Sequence, residues 1–450
     1  VSVAEDIIAG PLDSHLKPPA EHRRQRERPR VLVLAEACNP AWVSIPLEGW
    51  SMQAALRQVA DVHLVTQVRN RRDILAAGYA EGRDFTVIDS EKVAGPIYRL
   101  ASKLRGGRGV GWTTQMALSA ISYPYFEKRV WDTFGGRIGA GHWDIVHRLT
   151  PVSPTLPSVL AGYCARVGVP FVIGPLNGGI PWPRGHELHR LREREFLSYL
   201  RGLYKLMPGY RNTLLSASAV MCGSRYTLSQ LPPWASAKAS YVPENAIEPA
   251  RFTEPRRRRA TEGGKLRIVF LGRLVPYKGP DVLIDAAAPL VRAGRVEVTL
   301  VGDGPMLEQL KKQVRTLRLD GGVKLLGAVP HRKLTGLLAE QDVLGFPSIR
   351  EFGGAVVVEA MAMGVVPVVV NYGGPGELAS EDTGVLIPLG RRDELVRRFH
   401  DAFDDLSSHP GKVDEMSPRA RQRALTRFTW EAKARDVAQV YARVLEGRRS

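Results

Sequence analysis

Pro347-Ser348-Ile349-Arg350-Glu351-Phe352-Gly353-Gly354-Ala355-Val356-Val357-Val358-Glu359-Ala360-Met361-Ala362-Met363-Gly364-Val365-Val366-Pro367-Val368-Val369-Val370 is the stretch around which this chain is organised. Its apolar runs and glycines predict a strand end, a Gly353-Gly354 turn, a short helix from Ala355, a stop at Gly364 and another strand. Between Ala355 and Met363 the only polar side chain is Glu359, so the pattern predicts a helix with no solvated face and a carboxylate that needs a partner. Glycines ahead of a helix let a ligand approach outward-pointing N–H groups, which makes an anion site. Glu351 on the loop and Glu359 about two helical turns later would bracket a bound phosphate. The alternative is a solvated loop acid and a salt-bridged core acid.

Working outward, 450 residues are too many for one ordinary core, and two domains is the natural expectation. Cys38, Cys164 and Cys222 are odd in number and widely spaced, which argues for a reducing compartment with neither a disulfide frame nor a zinc site. Glu359, Gly364 and Pro367 interrupt the longest apolar run before it could span a bilayer. Glu5 and Asp6 near the start, with no apolar core of signal-peptide length, argue against export and for a cytoplasmic location. The formal charge of +17 is spread over separate groups, at His22 to Arg30, Arg184 to Arg211, Arg256 to Arg259 and Arg443 to Arg449. None is interleaved with stacking aromatics, so nucleic acid is not the expected partner. Anionic substrates, or the inner face of a negatively charged membrane, account for the excess at least as well, as does a basic surface without a partner.

The order of elements is read from the spacing of short apolar runs. Residues 1–29 form a polar, flexible tail. Strands are expected at Val31 to Ala35, Val62 to Thr66, Phe85 to Ile88, Asp144 to Leu149, Pro170 to Ile173 and Ala219 to Cys222, with helices near Trp50 to Ala60 and from Trp112 to about Gly135. A long basic amphipathic segment from His189 to Ser216 reads as a helix packed on the sheet, or as a surface lying on anionic lipid. Residues 30–250 thus form a first Rossmann-like domain and residues 251–264 a linker. A second set of strands follows at Arg267 to Leu271, Val296 to Val301, Val323 to Leu326, Asp342 to Phe346, Val365 to Val370 and Gly384 to Ile387, within a second domain over 265–427. Residues 428–450, opening on Phe428-Thr429-Trp430, read as a last helix. This is an α/β architecture of two doubly wound domains facing across a cleft.

Ligands of such sheets sit at the carboxyl ends of strands. Leu271-Gly272-Arg273-Leu274-Val275-Pro276-Tyr277-Lys278-Gly279 is such a turn, and Arg273 and Lys278 suit a diphosphate as planar fork and point charge. Two solvated loop cations would be the bland reading. With Val301-Gly302-Asp303-Gly304-Pro305, Leu326-Gly327-Ala328-Val329, Phe346-Pro347-Ser348 and the eight-residue step from Glu351 to Glu359, the half-chain resembles the donor half of retaining glycosyltransferases of family 4 (group 1), which have the GT-B fold.

That resemblance covers residues 267 to 390, and more loosely the remainder, and it implies that residues 30–250 are the acceptor-side domain and that the last helix, 428–450, crosses back to it. It implies that Arg273 and Lys278 hold the diphosphate of a nucleotide-sugar donor and stabilise the leaving group, and that Glu359 accepts hydrogen bonds from ribose hydroxyls. Glu351 would contact the donor sugar, and backbone near Gly272, Phe352, Gly353, Gly354, Ala355 and Val356 would line the phosphates and sugar. The nucleobase would lie near Gly327 to Val329. Neither a metal nor any other cofactor is expected, and the chain contains no Asp-x-Asp.

The first domain departs from the family pattern, because the turn after its first strand lacks a Gly-Gly pair and offers only Gly49. Asn39, Ser44 and Gly49, together with Asn177 and Gly178 of Gly174-Pro175-Leu176-Asn177-Gly178-Gly179, are the acceptor-side candidates; ordinary loop residues are the alternative. His147, ending Asp144-Ile145-Val146-His147, resembles the family's cleft histidine and is a catalytic candidate, against a satisfied core histidine. The reaction implied is retaining transfer of a sugar to a hydroxyl of a glycan or lipid-linked acceptor in cell-envelope, exopolysaccharide or glycolipid synthesis. A nucleotide-sugar epimerase, a GT-B phosphorylase and a non-enzymatic basic scaffold for nucleic acid or membrane are the rivals.

Overall fold

A computed structural model describes residues 28–91, 112–183, 205, 208–253, 255, 260–262 and 264–448. All but the end of the N-terminal tail, most of the basic segment from His189 and the run Arg256 to Arg259 lie outside the described residues. Among the described residues there are two sheets, and every strand pairing in them is parallel.

The first sheet contains β1 (Arg30–Ala35), β2 (Asp61–Gln67), β3 (Phe85–Ile88), β4 (Ile145–Thr150), β5 (Phe171–Leu176), β6 (Ala219–Cys222) and β7 (Ala239–Tyr241), in the order β3-β2-β1-β4-β5-β6-β7. The second contains β8 (Leu266–Leu271), β9 (Val296–Val301), β10 (Val323–Leu325), β11 (Val343–Phe346), β12 (Val366–Val370) and β13 (Val385–Ile387), in the order β10-β9-β8-β11-β12-β13. Near-continuous valine and leucine runs suit strands covered on both faces, and Val366, Val368, Val369 and Val370 are wholly buried. The expected doubly wound pattern is therefore the observed one. The three-residue β7 escaped the sequence reading because Ala239-Ser240-Tyr241 is too short to show an alternation.

In both sheets the winding direction reverses beside the first strand, between β1 and β4 and between β8 and β11. These switch points leave crevices at the carboxyl ends of the strands, where loops can hold a ligand. At the second one, the turn after β8 packs against the turn after β11. Ile349 N–H donates to Tyr277 O at 2.9 Å, and Gly279, at φ 67°, abuts Pro347 so closely that a Cβ would lie 2.9 Å from its carbonyl oxygen. Only glycine suits that backbone and that spacing.

The helix Ala355–Ala362 differs from its expected character. Ala355 is exposed, and Val356 and Glu359 are half-buried. Positions three and four apart share one helical face, so the helix has an open side that bears Glu359. An all-apolar composition hid this face, because Ala and Val pack against a core or border a crevice equally well.

Two segments connect the sheets, and they run side by side. Ile247 N–H donates to Phe428 O at 2.8 Å and Trp430 N–H to Ile247 O at 3.4 Å, forming a short parallel bridge. Thr429 then caps the helix Trp430–Glu446 by accepting from Ala432 N–H at 3.1 Å. Val437, Val440 and Tyr441 of that helix are buried among Val31, Val33 and Leu64 of the first sheet.

Candidate active site

The crevice of the second sheet assembles from the turns after β8 and β11. Lys278 folds back over Gly272, and its Nζ lies 2.9 Å from Glu351 Oε2 and 5.6 Å from the centre of the Phe346 ring. Both side chains are largely but not wholly covered, so the pair is oriented and still reachable by a ligand. Arg273 stands exposed on the same turn and has no ion-pair partner among the described residues. Gly354, at φ 70°, turns the chain into the helix Ala355–Ala362, whose first N–H groups face out at this point. Gly302 N–H donates to Gly327 O at 2.8 Å, which ties Gly327 and the half-buried Val329 to the end of β9.

The first sheet closes over this crevice. Arg350 Nε donates to Ile180 O at 3.4 Å and its guanidinium lies 4.7 Å over Trp182, while Tyr372 Oη donates to Pro181 O at 3.0 Å. Trp182 meets Tyr277 edge to face at 6.1 Å. Glu377 accepts from Arg225 N–H at 2.9 and 3.0 Å, placing a carboxylate at the start of the helix Arg225–Ser229. Phe352 reaches the end of β6 at Gly223. Arg350, Trp182 and Tyr372 were not picked out from the sequence, since contacts across a cleft leave no periodic signal.

His147 is corrected by its surroundings. It is wholly buried, with Nδ1 2.7 Å from Tyr441 Oη and Nε2 2.7 Å from Gly174 O. Both ring nitrogens are used by the fold, and burial brings its pKa down to about 4, so the ring is neutral and fastens β4 to β5 and to the last helix. It offers no nitrogen to a substrate. Asn39 is likewise wholly buried, donating to Asp73 Oδ2 at 2.8 Å and accepting from Ala41 N–H at 2.9 Å, so it shapes its own loop. Ser44 is exposed at φ 62° ahead of the helix Ile45–Leu56.

Gly49, Asn177 and Gly178 do lie at the carboxyl ends of the first sheet. A Cβ at Gly49 would overlap the carbonyl of Ala37, so this glycine permits close approach of helix and turn. Asn177 Nδ2 donates to Glu244 Oε1 at 2.8 Å, and Gly178 N–H donates to Thr227 Oγ1 at 3.0 Å. Through Glu244 these loops meet a group of charges missing from the sequence reading. Glu48, Glu244 and Lys433, with Gly49, Thr150, Pro175 and Trp430, line one small cavity between the first sheet and the last helix. The Lys433 ammonium donates to the main-chain oxygen of Glu244. Burial and the nearby Glu48 push the Glu244 carboxyl up to about 8, and burial brings Lys433 down to about 8 against the attraction of Glu48 and Glu244. Glu48 is raised too, mainly by burial.

Known proteins resemble this chain most clearly in the half that carries Lys278 and Glu351. Residues 252–423 match the family described as glycosyl transferases group 1. The group 1 match takes in the whole second sheet and both turns of its crevice. Glycogen synthase of Mycobacterium tuberculosis is 32% identical over 213 residues, which is 46% of this chain and 49% of that protein. D-inositol 3-phosphate glycosyltransferase of Kineococcus radiotolerans is 31% identical over 201 residues, 40% of this chain and 45% of that one. The chain thus spans about half the length of the curated relatives it matches. Among solved structures, HepE of Anabaena in complex with UDP gives a TM-score of 0.60 at 17% identity, covering 92% of this chain and 100% of that one. Sucrose-phosphate synthase from Thermosynechococcus elongatus gives 0.57 at 16%, covering 93% and 100%. The structural likenesses extend over both sheets and establish the fold as GT-B, and the group 1 match falls in its second half.

Proposed function

We propose that this chain is a retaining glycosyltransferase that moves a sugar from a nucleotide-diphosphate-sugar donor to an acceptor hydroxyl. The observation that carries the reading is the Lys278–Glu351 pair at 2.9 Å beside the Gly353-Gly354 turn, where an ammonium, a carboxylate and a helix N-terminus meet at a switch point. The group 1 match over the same residues supports it, as does the binding of UDP by the GT-B neighbour HepE.

In this reading Arg273 and Lys278 take the pyrophosphate, aided by the first N–H groups of the helix Ala355–Ala362. Charge that develops as the sugar leaves is met by groups already in place, so little reorganisation is needed. Glu351, oriented by Lys278, contacts the donor sugar, and Glu359 on the open helix face meets the ribose. Gly272, Phe352, Ala355 and Val356 line the donor in this reading, supported by their position around the turn, and Gly327 to Val329 border the base. A front-face displacement, in which the departing diphosphate takes the acceptor proton, uses these groups and gives retention. No metal ion is required for that neutralisation. The acceptor enters from the side of Gly49, Asn177 and Gly178, and the basic charge of the chain suits a lipid-linked or envelope glycan at an anionic membrane face. No helix among the described residues is long and apolar enough to cross a membrane.

A panel of nucleotide sugars assayed for nucleotide release tests the proposal, with Lys278→Ala, Glu351→Ala and Glu359→Ala beside wild type. Wild-type release from one donor, lost in the variants, is the expected result. Equal release by all four proteins would end the reading.

A further inference from the structure

We propose that Glu244 positions the anionic donor by linking the Gly353-Gly354 turn to the Asn177 loop on the cleft floor. The inference rests on the donor reading above and adds a residue to it.

Glu244 is held from three sides. Its Oε1 accepts from Asn177 Nδ2 at 2.8 Å. Its Oε2 lies 3.1 Å from the point that a Gly353 Cβ would occupy, so the carboxyl rests directly on the donor turn. Its main-chain oxygen is held by Lys433 of the last helix, next to the Ile247 to Thr429 bridge where the chain crosses between sheets. One side chain therefore touches the acceptor-side loop and the donor turn, while its backbone belongs to the crossing.

Burial raises its pKa most, and the charges packed around it add to or oppose that effect. Glu48 comes from the helix Ile45–Leu56, Glu351 from the donor turn, and Lys433 with Asp436 from the last helix. Lys278 is engaged by Glu351 at 2.9 Å, which leaves Lys433 to serve both Glu48 and Glu244. Acids outnumber the ammonium groups, and like charges so close do not all ionise. Burial, with Glu48 and Glu351 nearby, pushes the Glu244 carboxyl up to about 8, which favours its protonated form at neutral pH. A carboxylate there would oppose a pyrophosphate with like charge. The protonated group does not, and its O–H is a donor.

Calorimetric binding of UDP, GDP and ADP to the full chain, between about pH 7.5 and 9, tests this. Wild-type Kd for the best probe should rise about tenfold across that window, while Glu244→Gln, which keeps size and hydrogen bonding without a charge, should stay flat. Glu244→Ala should bind about tenfold more weakly at every pH. The Tm of each protein identifies a variant that has failed to fold, and Glu244→Gln carries the test by itself. A flat wild-type curve overturns the proposal. So does a rise that persists in Glu244→Gln, because that assigns the titration to Lys433. Absence of any nucleotide binding overturns the donor reading together with this inference, whereas binding that ignores pH overturns the inference alone.

Discussion

Lys278 and Glu351, separated by three strands of the second sheet, meet at 2.9 Å because the turns that carry them are packed together through Gly279 and Pro347. As a partly exposed ion pair the contact adds at most about 1 kcal/mol to stability. Its value is orientation, since it aims an ammonium and a carboxylate into one crevice.

Lys278→Ala is therefore expected to slow nucleotide release by about 10²–10³-fold while leaving the Tm nearly unchanged. Glu351→Ala should also slow release, and the double variant should lose less than the two single losses multiplied, because each partner orients the other. Losses that simply multiply would show the two groups acting independently.

His147 gives a contrasting expectation. His147→Ala removes two buried hydrogen bonds and should destabilise the protein by about 3 kcal/mol, yet leave the rate per folded molecule within about twofold. Unfolding in urea and release kinetics measured on the same samples check this. A severe rate loss with normal stability would restore a chemical role to the ring.

The same residue predicts an acid limb of stability. Its pKa is about 4 in the fold and 6.5 in a free histidine, so the unfolded chain binds the proton first as pH falls. Stability should be intact above pH 6.5 and decline from there toward pH 4, by roughly 3 kcal/mol from this group. Urea unfolding of His147→Gln across the same range should show a shallower decline, and an unchanged slope would contradict the assignment.

Gly353→Ala should damage binding more than folding. A Cβ there would overlap the Asn245 amide and crowd Glu244 Oε2 at 3.1 Å, forcing the Gly353-Gly354 turn away from the cleft floor. Nucleoside diphosphate affinity is expected to fall about tenfold or more, at a stability cost of about 1–3 kcal/mol. Retained affinity would mean that the turn does not need its contact with the loop after β7.

Chelation offers a test of the charge balance. With Arg273, Lys278 and a helix N-terminus assigned to the pyrophosphate, EDTA should leave the release rate within about twofold. A rate abolished by EDTA and restored by Mg²⁺ would reassign the neutralisation to a bound cation.

By itself the sequence determined the two parallel sheets and the composition of the turns that carry Lys278 and Glu351. Valine-rich runs such as Val366 to Val370 declare strands buried on both faces, and Gly279 and Gly354 mark turns at strand ends. Arg273 with Lys278, and Glu351 with Gly353-Gly354, each lie within one local turn, where identity and spacing suffice. The tertiary structure alone decided that Lys278 is the partner of Glu351, that the helix Ala355–Ala362 has an open face, and that Glu48, Glu244 and Lys433 converge beneath the cleft. It also withdrew His147 from the chemistry by placing Tyr441 and Gly174 on its two nitrogens. The division has a physical cause: periodicity and turn chemistry act over a few residues, whereas burial and charge pairing depend on which distant segments packing brings together.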